Sequence, residues 1–114
     1  MYENTVLEFS KSNDDVEVTK LEYDVCLIEI RRMVVNNKVN YDAFANFRGN
    51  EDAAYHFDHE MYHVHNIYSD SGALSGADDH IHLQCPYNPR DIIENYLGQP
   101  KTVWVETNNW QKFN

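Results

Sequence analysis

The sequence has few cysteines, no long apolar run and no sign of a targeting segment. Its two cysteines, Cys26 and Cys85, are too few for a disulfide scaffold and form no CxxC pair, which is typical of a reducing compartment. No apolar stretch approaches the roughly 20 residues that a membrane helix needs, so we expect no membrane partner. The first residues lack a basic region followed by an apolar run, so we predict no signal peptide and a cytoplasmic protein.

Basic residues are also scarce. Nine Lys and Arg stand against 19 Asp and Glu, which gives a formal net charge of −10 in 114 residues. Such a negative field repels phosphate and attracts a basic protein, so it disfavours direct nucleic-acid binding. The charge exceeds the roughly 2–8 that the solubility of a small domain requires. No run of like charges exceeds two residues, so the acidity is not the property of an acidic tail.

The length and the 42% hydrophobic content are those of one globular domain that buries its own core. Alternating or β-branched segments predict strands, although residues 20–35 also permit a helix opened by Thr19 and Glu22. The predicted strands span residues 5–9, 16–23, 25–35, 61–68, 79–85 and 102–106. The expected fold is α+β, a single small domain (1–114) with a mostly antiparallel sheet of about five or six strands.

Two short helices complete the predicted fold. The first is expected at about 40–48, where Asn40 is a candidate N-cap and Gly49 a stop. The second is expected at about 89–97, where Pro89 occupies the first turn and Gly98 ends the helix.

All six histidines lie within one window of 27 residues, 56–82. Histidine is the commonest metal ligand and the only side chain whose ordinary titration falls near neutral pH. This histidine window is therefore the first candidate for function. Its chemistry depends on whether its first part is helical or extended.

If residues 52–66 are helical, His59 and His63 lie at i and i+4 on one face. Residues 59–63 read His-Glu-Met-Tyr-His, and they resemble the H-E-x-x-H motif of zinc metallopeptidases over about ten residues. The resemblance implies a small zinc-dependent hydrolase, in which His59, His63 and a third ligand hold zinc while Glu60 acts as general base. Candidates for the third ligand are His80, His82, Asp91 and Glu94.

The alternation within residues 61–68 and 79–85 favours the second interpretation, in which strands begin at about residue 61. The two strands would then form a hairpin with a core side and a polar side. The core side would carry Tyr62, Val64, Ile81, Leu83 and Cys85. The polar side would carry His63, His65, His80 and His82. Such a face is either a solvated surface or a non-catalytic metal-binding or pH-sensing site.

No catalytic constellation is complete in the sequence, so we expect a binding protein with no enzymatic activity and no cofactor rather than an enzyme. The leading hypothesis is an inhibitor that occludes the active or nucleic-acid-binding surface of a basic partner. Such a protein would be an immunity protein to a bacterial nuclease toxin or a phage-encoded inhibitor of a nucleic-acid-binding enzyme. The residues expected to contact the partner are Asp14, Asp15, Glu17, Asp52, Tyr55, Asp58, Glu60 and Tyr62.

Overall fold

An antiparallel sheet forms the centre of the molecule. The structure is a computed structural model and describes residues 17–69 and 79–107. Within these ranges the strands are β1 (Glu17–Glu22), β2 (Leu27–Val35), β3 (Lys38–Asn46), β4 (Tyr68–Ser69), β5 (His80–Cys85) and β6 (Thr102–Thr107). They lie side by side in the order β4-β5-β3-β2-β1-β6, and each neighbouring pair is antiparallel. The predicted α+β domain with a mostly antiparallel sheet is confirmed.

Two helices accompany the sheet in the described ranges. Helix α1 (Glu51–His59) continues directly into a π-helical segment (Glu60–Val64), and helix α2 (Arg90–Leu97) follows β5. Neither is long and apolar enough to cross a membrane.

A tight turn explains why residues 38–46 form a strand, so the helix predicted at about 40–48 is wrong. Asn36 and Asn37 have φ values of 53° and 64°, the left-handed conformation that two-residue hairpin turns need at both positions. The turn pairs β3 with β2 from Val35↔Lys38 to Leu27↔Asn46. The Asn36-Asn37 pair is a hairpin signal in the sequence, and it outweighs the helical spacing of the aromatic residues that follow.

One face of the sheet and both helices share a single core. Alternate residues of the central strands are buried, for example Ile28 and Ile30 in β2 and Ile81 and Leu83 in β5. The helices add their apolar side chains to the same cluster, and these are Ala54, Phe57, Met61 and Ile93. Burial of this apolar area is the main force that holds the helices on the sheet.

The opposite face of the sheet is polar and aromatic. A row of directly paired residues crosses four strands on this face, and it consists of Lys20, Glu29, Phe44 and His82. The Phe44 and His82 rings are stacked, with centroids 4.5 Å apart and planes within 5°. The Arg31 guanidinium lies over the Phe44 ring, 5.7 Å from the ring centroid.

The strand predicted at residues 61–68 is wrong for most of its length, because helix α1 and its π-helical extension run to Val64. The chain turns at Asn66, whose φ is 58°, and only Tyr68–Ser69 pairs with β5. Met61 is 0% exposed, whereas Tyr62 and Val64 are exposed. The expected core side with Tyr62 and Val64 is therefore also wrong, because the helix directs Met61 inward instead.

The remaining predicted elements agree with the structure where it describes them. The strands predicted at residues 16–23, 25–35, 79–85 and 102–106 correspond to β1, β2, β5 and β6, and the helix at 89–97 corresponds to α2. Gly98, with φ 91°, ends α2, and its N–H donates to the Glu94 carbonyl. The strand expected at residues 5–9 lies outside the described residues.

Candidate functional site on helix α1

Helix α1 is fixed at its start by a cap and along its length by buried side chains. The Asn50 side chain accepts a hydrogen bond of 3.0 Å from the Ala53 N–H, which satisfies one of the free donors of the first turn. Ala54, Phe57 and Met61 are fully buried, at the i, i+3 and i+7 spacing of one helix face. The opposite face of α1 is consequently held rigidly toward solvent.

The outward side of α1 and the π-helical segment carries a set of aromatic rings that we call the Tyr/His face. Its members are Tyr55, His56, His59, Tyr62 and His63, all of them exposed. Tyr55 is 62% exposed and Tyr62 is 51% exposed, which are high values for side chains of this size.

The rings of the Tyr/His face form a continuous row. The Tyr55 and His59 centroids are 6.1 Å apart, those of His59 and His63 are 4.4 Å apart, and those of His63 and Tyr62 are 5.0 Å apart. The rings therefore lie side by side on one exposed surface. Tyrosine is among the residue types that dominate binding energy at protein interfaces.

Acidic residues stand at the N-terminal end of this face. Glu51 and Asp52 occupy the first turn of α1, where negative charge is favourable to the helix dipole. The Asp52 side chain is 87% exposed and lies 3.7 Å from the His56 imidazole. The face therefore combines exposed carboxylates with exposed aromatic rings.

The π-helical segment begins inside the H-E-x-x-H sequence, between His59 and Glu60. The Glu60 N–H is directed at both the His56 and the Phe57 carbonyls, so the first residue of the segment still bonds in the α-helical pattern. Single π-helical turns at the end of an α-helix are uncommon and occur frequently at functional sites. The segment therefore supports a functional assignment for this part of the chain.

Glu60 pairs with a histidine other than the two motif histidines, His59 and His63. Its carboxylate lies 3.2 Å from Nε2 of His65, the residue that follows the π-helical segment. Burial and, second, the negative charge of Glu60 raise the pKa of the Tyr96 phenol on helix α2. Glu60 is thus directed toward His65 and α2, whereas His59 and His63 face each other at the exposed surface.

The hydrolase interpretation requires a third zinc ligand beside His59 and His63, since catalytic zinc sites use three protein ligands. Across residues 17–69 and 79–107, no group of three His, Cys, Asp or Glu side chains is arranged to hold a metal ion. His80 and His82 alternate with the buried Ile81 and Leu83, and so they lie on the polar face of the sheet. The helix packs against the other face.

The hairpin interpretation of the histidines is wrong, because residues 60–64 are π-helical and not a strand. It placed His63, His65, His80 and His82 on one face of two paired strands. In the structure His63 belongs to the π-helical segment and His65 to the turn after it, while β5 carries His80 and His82. The four side chains do not form one surface, because only the second pair is in a strand.

The residues expected to contact a partner fall into several groups. Asp52, Tyr55 and Tyr62 lie together on the exposed side of the α1 region. Asp58 accepts a hydrogen bond from the Ser69 hydroxyl and Glu60 pairs with His65, so both carboxylates have partners within the chain. Glu17 is in β1, which β2 and β3 separate from β5. Asp14 and Asp15 lie outside the described residues.

Sequence reasoning recognised the i, i+4 spacing of His59 and His63 but overlooked that Tyr55 precedes His59 by the same four residues. Side chains at i and i+4 lie one above the other on a helix, so this spacing is the signal for a shared face. The Asp52–His56 pair has the same spacing. The alternation of residues 61–68 drew attention to a strand and concealed this pattern.

Comparison of the chain with protein-family models, with curated proteins and with solved structures finds no match.

Proposed function

We propose that this protein binds a basic partner protein through the Tyr/His face of α1 and inhibits it by occluding its active or nucleic-acid-binding surface. The observation that carries the proposal is the row of exposed aromatic rings beside the acidic first turn of α1. Tyrosine rings on a rigid helix fill pockets at little cost in conformational entropy. The carboxylates Glu51 and Asp52 would meet the Lys and Arg side chains with which such a partner grips phosphate.

The charge of the whole chain supports the same proposal. A net charge of −10 would accelerate association with a basic protein and would make the affinity fall as salt is added. Glu17, Asp58 and Glu60, and also Asp14 and Asp15, would contribute through this long-range field rather than through the central contacts. The kinds of protein that fit this description are an immunity protein against a bacterial nuclease toxin and a phage-encoded inhibitor of a nucleic-acid-binding enzyme.

The two cysteines support a place in a reducing compartment. Cys26 and Cys85 are both buried and both free. Burial raises the pKa of the Cys26 thiol to about 12, which keeps it protonated and unreactive at neutral pH. We place the proposed inhibitor in the cytoplasm on this ground.

The test begins with capture of basic proteins at low salt on the immobilised wild-type chain and on two variants. One variant is Tyr55→Ala/Tyr62→Ala, which removes the aromatic anchors. The other is Glu51→Lys/Asp52→Lys, which reverses the charge of the first turn. We expect each variant to lose affinity for the partner by about 10-fold or more, since hot-spot side chains contribute at least ~2 kcal/mol.

Two control variants make the same kinds of substitution, a tyrosine removal and a charge reversal, at other exposed positions. Tyr87→Ala removes an exposed tyrosine near α2, and Asp91→Lys reverses an exposed acid in the first turn of α2. Both should bind the captured protein as the wild type does. If charge reversal at Glu51 and Asp52 leaves the affinity unchanged, or the controls lose as much, the proposed surface is wrong. Inhibition should also be competitive with nucleic acid if occlusion is the mechanism.

A further inference from the structure

Four of the six histidines are paired with carboxylates. His65 Nε2 lies 3.2 Å from Glu60, and His80 Nδ1 lies 2.9 Å from Asp79. His82 Nε2 and His56 Nε2 lie 3.4 Å and 3.7 Å from Asp42 and Asp52, respectively. In each of these pairs a ring nitrogen is already directed at an acceptor. Only the second ring nitrogen of each of these histidines remains for a further ligand.

His59 and His63 differ from the other four. Within the described residues, neither ring has a carboxylate partner or a hydrogen bond, and each lies against the other with centroids 4.4 Å apart. Both residues are exposed, so their ring nitrogens are accessible to ions in solution. They occupy the last residue of α1 and the fourth residue of the π-helical segment, a backbone that the buried Phe57 and Met61 hold in place.

Two imidazoles at this separation can reach one metal ion. Side chains at i and i+4 project from the same side of a helix, and neutral imidazole nitrogen suits zinc, copper and nickel. The acidic chain also raises the concentration of cations at its surface. Two protein ligands leave the remaining coordination positions to water, so the ion would remain open to solvent.

We propose that His59 and His63 form a two-ligand binding site for a divalent transition-metal ion such as Zn²⁺ or Ni²⁺. The site binds the ion at the exposed surface of α1, between Tyr55 and Tyr62, without involving Glu60. It is a binding site and not a hydrolytic centre, because the motif carboxylate is engaged with His65. This assignment stands independently of the proposed partner.

The experiment is a calorimetric titration of the wild-type chain with Ni²⁺ and, separately, with Zn²⁺. We expect a single ion per chain, and a loss of affinity of about 10-fold or more in His59→Ala and in His63→Ala, since each removes half of the protein ligands. His56→Ala is the matched control. It removes an exposed histidine of the same helix that is paired with Asp52, and its affinity should remain within about twofold of the wild type.

A second measurement identifies by NMR which histidine side chains bind the ion. Zn²⁺ should shift the ring proton signals of His59 and His63 in the NMR spectrum and leave those of His65, His80 and His82 in place. It should also raise the melting temperature of the wild type and of His56→Ala, but not of His59→Ala, because a ligand stabilises only the form that binds it. The proposal is overturned if the wild type binds neither ion. It is equally overturned if binding survives in His59→Ala/His63→Ala, or if His56→Ala loses it.

Discussion

His82 of β5 and His59 of α1 lie in opposite surroundings, although both belong to the same histidine window. His82 in β5 has a side chain that is only 12% exposed, stacked on Phe44 and directed at Asp42. His59 at the end of α1 is exposed and faces His63. A strand inside a sheet has neighbours on both sides, whereas the outward face of a helix has none beyond its own turns. The same side chain is therefore structural in the sheet and available for binding on the helix.

The largest change in the free energy of unfolding should come from Met61, the buried residue that holds the inner side of the helix against the core. Met61→Ala removes a fully buried side chain from the core, and we expect a loss of about 2–5 kcal/mol in the free energy of unfolding. Tyr62→Ala, one residue further, removes an exposed side chain and should change it by no more than about 0.5 kcal/mol. Urea denaturation of the two variants measures both values.

The pair of variants also tests the helix itself. In a strand that packs Tyr62 and Val64 inward, the larger loss would belong to Tyr62→Ala, and that result would contradict the helical register described above.

A smaller difference in the free energy of unfolding should distinguish His82 in the sheet from His63 in the π-helical segment. His82→Ala removes a stacked ring from the polar face of the sheet and leaves Asp42 without its imidazole neighbour. We expect a destabilisation of about 1–3 kcal/mol. His63→Ala should stay within about 0.5 kcal/mol, since its ring is exposed. Equal losses in thermal or urea denaturation would show that the two regions do not differ in the way proposed.

The smallest effect concerns pH and the start of β5. The Gly49 N–H donates to the Asp79 carboxylate at 2.6 Å, and this bond, with a smaller contribution from His80, lowers the pKa of that carboxyl. Because the pKa is lower in the folded than in the unfolded chain, the stabilisation is present above the ordinary carboxyl value. It is lost as pH falls through the lowered pKa.

The measurement compares the urea midpoints of the wild type and of Asp79→Asn between neutral pH and pH ~2. The difference between them should shrink as the pH falls. His80→Ala retains the Gly49 bond, so it should keep most of the pH dependence of the wild type. A constant difference between wild type and Asp79→Asn would show that the Gly49 contact contributes nothing in solution.

Local signals predicted much of the fold correctly. Pro89 at the start and Gly98 at the end bound α2, because these residues act within a single turn of the chain. Alternation with β-branched residues located β2 and β5, since a half-buried strand needs that pattern. The Asn36-Asn37 turn was equally local, and attention to it would have predicted β3 instead of a helix at about 40–48.

The candidate site was harder to predict, because its sequence fits both the two-residue period of a strand and the 3.6-residue period of a helix. Tyr62, Val64 and Ile67 suit a strand, whereas Ala54, Phe57 and Met61 suit a helix. The helix prevails because it buries Phe57 against Phe47, with ring centroids 5.2 Å apart, and places Met61 in the same core. That choice depends on residues distant in sequence, and no window around residue 60 contains them.

The sequence by itself determined the acidity, the crowding of all histidines into one window, and the turns and caps that punctuate the chain. These properties follow from residue identity and from contacts within a few residues. Three of the four histidine–carboxylate pairs are also local, whereas tertiary structure decided the partners of His82 and which histidines lie at the surface. The pairing of β3 with β5 brings Phe44 opposite His82, and the end of α1 turns Glu60 toward His65. His59 and His63 remain exposed together because the core holds the other side of their helix.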